Sequence, residues 1–248
     1  MKYLGIEVST PMLISWAGNR LKSAERIYFG QNKKGHVMQK PRTVRALETL
    51  GRVQLSPHFF MRDMLYSEIA VMSGLANIPD NPDLAIKAGS QLCCEILEPL
   101  QQAFGPLAIR SAYRTPQINT YGNERNLSCA SAKANYADHT WDRLDGEGKM
   151  GAVATVVVPW FVPHYAAGAD WRALAWWMHD HLPYSSIYFF PKLAAFNIGW
   201  HEEPKRTIKS YIKPRGTLTK PGHENHEGSH EEHWSWMYVS KNLDNPLS

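Results

Sequence analysis

The segment Gly105-Pro106-Leu107-Ala108-Ile109-Arg110-Ser111-Ala112-Tyr113-Arg114-Thr115-Pro116-Gln117-Ile118-Asn119 is where the chain changes character. Gly105-Pro106 stops a helix, Leu107-Ala108-Ile109 reads as a short buried strand, and Ser111 opens a polar stretch. Upstream, Asn81-Pro82-Asp83 starts a long helix whose Leu84, Ala88, Leu92, Ile96 and Leu100 form one apolar stripe at helical spacing. Pro99 is expected to bend that helix or end it early. Downstream, residues 111–150 are rich in Asn, Ser, Asp, Gly and Arg and read as a long loop, a length that points to function or insertion. Ala152 to Val158 is the clearest strand, ended by Pro159. Asp170 caps a helix from Trp171 to about His181, and Ile187–Phe190 and Phe196–Trp200 are further strands.

Three regions follow from this reading. Residues 1–54 form an N-terminal extension that packs on the main body, because Trp16, Ile27, Tyr28 and Phe29 favour burial. Residues 55–210 form the main domain, entered through Ser56-Pro57, which reads as the cap and first position of a short helix. Residues 211–248 form a C-terminal His/Glu-rich tail, looser in composition, with His223, His226, His230 and His233 among glutamates. A solvated, mobile tail explains those histidines better than loose transition-metal binding, although Trp234 and Trp236 predict that its end docks. Trp171, Trp176, Trp177 and Trp200 read as core rather than as an aromatic wall.

The 248 residues contain 44% hydrophobic, 11% aromatic and 20% charged residues, a globular profile. The net charge of +4 is too small and dispersed to point to nucleic acid. Cys93, Cys94 and Cys129 are an odd set without zinc-knuckle spacing, so buried thiols are expected. Met1 to Ser15 makes a poor secretory signal and no run is long enough to span a membrane, so no membrane association and a cytoplasmic location are expected. A phage-encoded or otherwise delivered protein fits the same features.

The order long helix, Phe-Gly-Pro turn, short strand, then Ser111 to Asn119 resembles the S-G-Y-R-x-x-x-x-N segment of the M15 peptidases, the zinc D-Ala-D-Ala carboxypeptidases of the hedgehog/DD-peptidase class. Ser56 to Asn77 resembles the lead-in of the phage and bacterial branch, and the likeness covers roughly residues 55–206. It implies an α+β fold, with a small antiparallel sheet and flanking helices. It also implies that Arg114 holds a substrate carboxylate, as a planar guanidinium does through two parallel hydrogen bonds. Ser111, Tyr113 and Asn119 would shape the substrate pocket.

The family's metal site is a His and an Asp from H-x-x-G-x-A-x-D plus a His from a late W-x-H or E-P-W-H segment. By that resemblance His139 and His201 are the metal ligands. Thr155 stands where the Asp is expected, and Ile198 where the general-base Glu is expected. Asp142, one helical turn from His139, can complete a two-His, one-carboxylate set for zinc or Fe(II), or it can cap or pair with Arg143. Glu202 or Glu203 would then act as base from the other side of His201.

Three functions follow from the sequence. One is a divergent zinc metallohydrolase acting on a small peptide or peptidoglycan-type substrate with a free carboxylate. Another is a non-catalytic protein of the same fold that holds no metal and binds a peptide, wall fragment or protein partner. The third is a remade metal site on another small molecule.

Overall fold

The computed structural model describes residues 37–127 and 136–238, and the apolar residues expected to bury within residues 1–36 lie outside them, as does Cys129. Helix α1 (Val44–Gly51) is capped by Thr43, whose hydroxyl accepts from Ala46 N–H. Strands β1 (Gln54–Ser56) and β2 (Phe59–Phe60) form a hairpin, followed by the short helices α2 (Met61–Met64) and α3 (Glu68–Ser73). Ser56-Pro57 is therefore a hairpin turn and not a helix start. The Ser56 hydroxyl is taken by buried Glu98 (2.8 Å), which also accepts from His58 N–H (2.8 Å).

Asn81 caps α4 (Pro82–Leu92), which passes through a π turn (Cys93–Leu97) into α5 (Glu98–Phe104). The expected break at Pro99 is absorbed by that turn, in which Glu98 N–H reaches back to Cys93 O. The wider turn makes room for the proline ring and the missing N–H without ending the helix. Gly105, at φ +83°, ends it. Ala88, Leu92, Ile96 and Leu100 of the stripe are buried, each worth about 1.5–3 kcal/mol for a large side chain. Cys93 and Cys94 are buried thiols in the π turn.

The main sheet contains β3 (Ala108–Ser111), β4 (Gly151–Val157), β5 (Ser186–Phe189), β6 (Phe196–His201), β7 (Thr207–Ser210) and β8 (Gly216–Thr219), in the order β3-β4-β6-β5-β7-β8. The fold is α+β with flanking helices, as expected, and antiparallel except where β5 and β7 run parallel. Helix α6 (Pro116–Glu124) interrupts the stretch read as loop, with Thr115 as cap and Pro116 in the first turn. Helices α7 (Phe161–Ala166), α8 (Trp171–His181) and α9 (Glu231–Trp234) complete the described elements.

Strand alternation gives the sheet two faces. Ala152, Ala154 and Val156, with Ile187, Phe189, Phe196, Ile198 and Trp200, join one core with α4, α5 and α8, including Trp171, Trp176 and Trp177. The other face carries Gly151, Val153 and Thr155 of β4 opposite His201, Gly199 and Asn197 of β6.

Residues 211–238 are not a solvated tail. β8 closes the sheet edge, and His230 stacks on Trp176 with ring centroids 3.9 Å apart. Asp180 accepts from His230 N–H (2.8 Å) and Trp234 Nε1–H (2.8 Å) and faces His230 Nδ1 at 2.7 Å. His179 Nε2–H donates to His226 O (2.8 Å), leaving Nδ1 to accept from the Tyr184 hydroxyl (2.6 Å). Composition alone read this region as solvated because its apolar contribution is concentrated in a few rings.

Candidate functional site

The loop Tyr136–Thr140 continues the edge of β4 where β3 leaves it. Val153 N–H donates to Asp138 O (3.0 Å), Arg114 N–H to His139 O (2.8 Å) and Ala137 N–H to Arg143 O (3.0 Å). The loop packs onto Gly151, where an added Cβ would lie 2.1 Å from Ala137 O and 2.7 Å from the His201 ring. Gly151 faces His201 across the sheet, so only a glycine lets the His201 ring and the 137 carbonyl meet there.

His139 is buried with Nδ1 2.8 Å from Ala112 O, so Nδ1 carries the proton and Nε2 keeps its lone pair. Burial, helped by the Arg114 charge, pushes its pKa down to about 3, and the ring is neutral at pH 7. Arg114 is itself almost buried. His201 lies with Nδ1 against the backbone of Glu203 and Nε2 3.2 Å from Asp145 Oδ2. Asp145 Oδ1 accepts from Glu147 N–H and Lys149 N–H (2.9 Å each), which together hold its carboxyl below the usual range.

Asp138 is the group that reading the sequence missed. It is half-buried, and burial pushes its pKa up to about 6 against the pull of Arg114, Lys205 and His201. Its one sequence signal was its place beside His139. Lys205 and Asp145 were legible only as charges in loops.

Asp142 does not join His139 and His201. Its Oδ2 accepts from Asp80 N–H (2.7 Å) and Asn81 N–H (3.3 Å), tying the loop to the start of α4, and Arg143 lies beside it. The Tyr113 hydroxyl is buried and makes no hydrogen bond among the described residues; burial, with the Asp142 charge nearby, drives the phenol pKa far above its usual value. Fully buried, Tyr113 is not exposed to a ligand. Asn119, also fully buried, donates to the Thr140 hydroxyl (3.0 Å) and braces the loop from below. Ser111 faces Thr155 across β3 and β4, and Thr155 donates its hydroxyl to Asn197 Oδ1 (2.7 Å). Ile198 is fully buried in the core.

Neither proposed base stands ready. Glu202 Oε2 accepts from Met150 N–H (2.8 Å), and Glu203 pairs with Lys149 at the surface. Among the described residues no three His, Cys, Asp or Glu side chains gather in a way that holds a metal ion. The residues present therefore do not fit the complete two-His, one-carboxylate set.

A separate groove of about 730 Å³ runs between α1 and the α2–α3 region, lined by apolar residues such as Leu47, Leu65 and Val71. It shares Asn77 with the segment around Arg114, through bonds to Tyr113 O (2.8 Å) and from Thr115 N–H (3.0 Å). Titratable groups converge at the Asp138 loop, so that loop is the candidate site. No described helix is long and apolar enough to cross a membrane. The chain matches no family model, no curated protein and no solved structure.

Proposed function

We propose that the chain is a non-catalytic protein with a hedgehog/DD-peptidase-type fold that binds a small peptide or peptidoglycan-type ligand through its free carboxylate. One observation carries this reading: Asp142 is spent on the start of α4, while the charges of Arg114, Lys205 and His201 act together on Asp138. A loop with that charge around it would suit an anion, and a guanidinium is the side chain best suited to grip a carboxylate. The acid that would complete a metal set and the acid that would serve as base are both engaged elsewhere.

The test is calorimetric titration with D-alanyl-D-alanine and with its C-terminal amide. The acid should bind at least tenfold more tightly than the amide, about 1.4 kcal/mol, and Arg114→Lys should reduce that ratio. Incubation of zinc-supplemented protein with the dipeptide should leave it intact. Equal binding of acid and amide, or cleavage, refutes the reading.

Metal-dependent hydrolysis is the second reading, favoured by the His139 ring. Its Nδ1–H rests on a backbone carbonyl and its Nε2 lone pair is kept, as in histidines that ligate metals. His139 and His201 would hold the zinc or Fe(II), which would supply a Lewis acid. A stoichiometric zinc titration lost in both His139→Gln and His201→Gln would favour it over simple anion binding.

A further inference from the structure

We infer that the open face of the sheet, where β5, β7 and β8 lie together, binds single-stranded nucleic acid. Bases stack on Tyr211 and the rings beside it, and the cations around those rings hold the phosphates. The inference stands independently of the carboxylate-binding reading.

Strand register builds this face. Ile187, Phe189 and Ile208 lie in the core, so Tyr188 and Lys209 rise on the opposite side. Pairing sets Asn197, Tyr188, Lys209 and Thr217 in one row across β6, β5, β7 and β8. Phe190 and Tyr211 follow on the same face, and three rings meet there. The ring centroids of Tyr188 and Tyr211 are 4.7 Å apart, those of Tyr188 and Phe190 5.7 Å, and those of Phe190 and Tyr211 5.9 Å. The rings hold one another in place, yet Tyr211 leaves 51% of its surface to solvent.

The charge around the rings has one sign. Residues 185–221 carry Lys192, Lys205, Arg206, Lys209, Lys213, Arg215 and Lys220 against Glu202 and Glu203 alone. Those two acids are engaged with Met150 N–H and Lys149, at the end of β6 opposite to Phe196, which pairs with Phe189. Lys192, Lys209, Lys213 and Arg215 are exposed. Lys209 stands beside Tyr188 in the row, Lys192 and Lys213 each follow a ring by two residues, and Arg215 Nε–H donates to Tyr211 O (3.1 Å). Dispersed along the sequence, these cations point to no partner; the sheet gathers them around aromatic rings. Ordered rings in a cationic setting suit a ligand that is flat and anionic at each unit, as a nucleic acid strand is. A duplex hides its base faces in its own stack, and an acidic peptide brings charge without bases.

The test is fluorescence anisotropy of the full chain with a labelled oligodeoxythymidylate of about twelve nucleotides, a length that one domain covers. Binding should weaken about tenfold in Tyr211→Ala, the loss of one stacked base, and should survive in Tyr211→Phe, which keeps the ring. Lys209→Gln should lower the salt slope of log K by about 0.7, one phosphate contact. A hairpin duplex and poly-L-glutamate should each compete at least tenfold less well than unlabelled oligonucleotide. Absence of binding at about 50 mM salt overturns the inference. Unchanged affinity in a folded Tyr211→Ala does the same. Competition by the duplex or by poly-L-glutamate as strong as by the oligonucleotide also overturns it, the latter in favour of an acidic protein partner.

Discussion

Removing the Asp142 side chain separates its two sequence readings, ligand or cap. Asp142→Ala deprives Asp80 N–H and Asn81 N–H of their acceptor at the start of α4 and empties a fully buried site. Losing an acceptor at a helix start costs about 1 kcal/mol. Stranding the part-buried Asp80 N–H, which makes the shorter of the two bonds, adds roughly 1–3 kcal/mol. The sum is about 2–4 kcal/mol, and at about 2–4 °C per kcal/mol for a chain of this size the melting temperature should fall by roughly 4–16 °C. Asp142→Asn keeps one acceptor oxygen and the volume, and should lose about half as much. Thermal melts followed by circular dichroism, with urea titration for the free energy, read the effect, and carboxylate binding below the transition should persist. A melting temperature within about 2 °C of wild type, together with lost zinc binding, would refute the capping role and return Asp142 to the metal.

Acid should destabilise the fold. The His139 and His179 pKa values are both lowered by burial, so the unfolded chain takes up protons near pH 6.5 that the folded chain refuses. Their contribution is complete above pH 6.5 and is lost as the pH falls, for His139 down to about pH 3. Asp138, raised to about 6, works in the opposite sense and returns stability between about pH 6 and 4. Urea midpoints should therefore drop from pH 7.5 to 5 and drop further in Asp138→Asn; a midpoint that holds or rises contradicts the assignment. His230→Ala removes the stack on Trp176 and the ring contacts to Asp180 Oδ1 and Asn225 O, and should cost about 2 kcal/mol and expose residues 216–238 to limited proteolysis. Unchanged cleavage kinetics would show that Trp234 alone anchors this region. Gly151→Ala places a methyl 2.1 Å from Ala137 O, so the loop must shift, and carboxylate binding should weaken at least tenfold in protein that still folds.

Much of the fold was legible because it is written in local pattern. The stripe from Leu84 to Leu100, the Asp170 cap and the apolar runs of β4 and β6 each carry their own signal, and each formed. Two misses had usable signals. Thr115-Pro116 is a cap followed by a first-turn proline, yet the surrounding polar composition hid α6. The Ser56-Pro57 pair carries the same signal, but a Glu more than forty residues away claims the hydroxyl, which no local window reveals. The site was less legible still. His139, His201 and Arg114 stand around one loop, but the role of Asp142 depends on the distant start of α4. That of Asp138 depends on three cations brought together only by the sheet.

The pairing of β4 with β6 decides whether a carboxylate at position 155 could share an ion with His201. His201 stands opposite Gly151, and Thr155 lies four residues further along β4 on the same face, opposite Asn197. At about 3.3 Å per residue that is roughly 13 Å along the strand, with both side chains rising from the sheet in parallel. A zinc ion holds its ligand atoms at about 2 Å, so no single ion can touch both. Thr155→Asp should therefore leave zinc affinity at the wild-type value while breaking the bond to Asn197, at a cost of about 1 kcal/mol. The measurement is competitive zinc titration against a chromogenic chelator, in Thr155→Asp alone and combined with His201→Gln. A gain of tenfold or more that vanishes in the double variant would mean that β4 and β6 do not pair with Gly151 opposite His201. Absence of a gain is what the pairing of Gly151 with His201 requires.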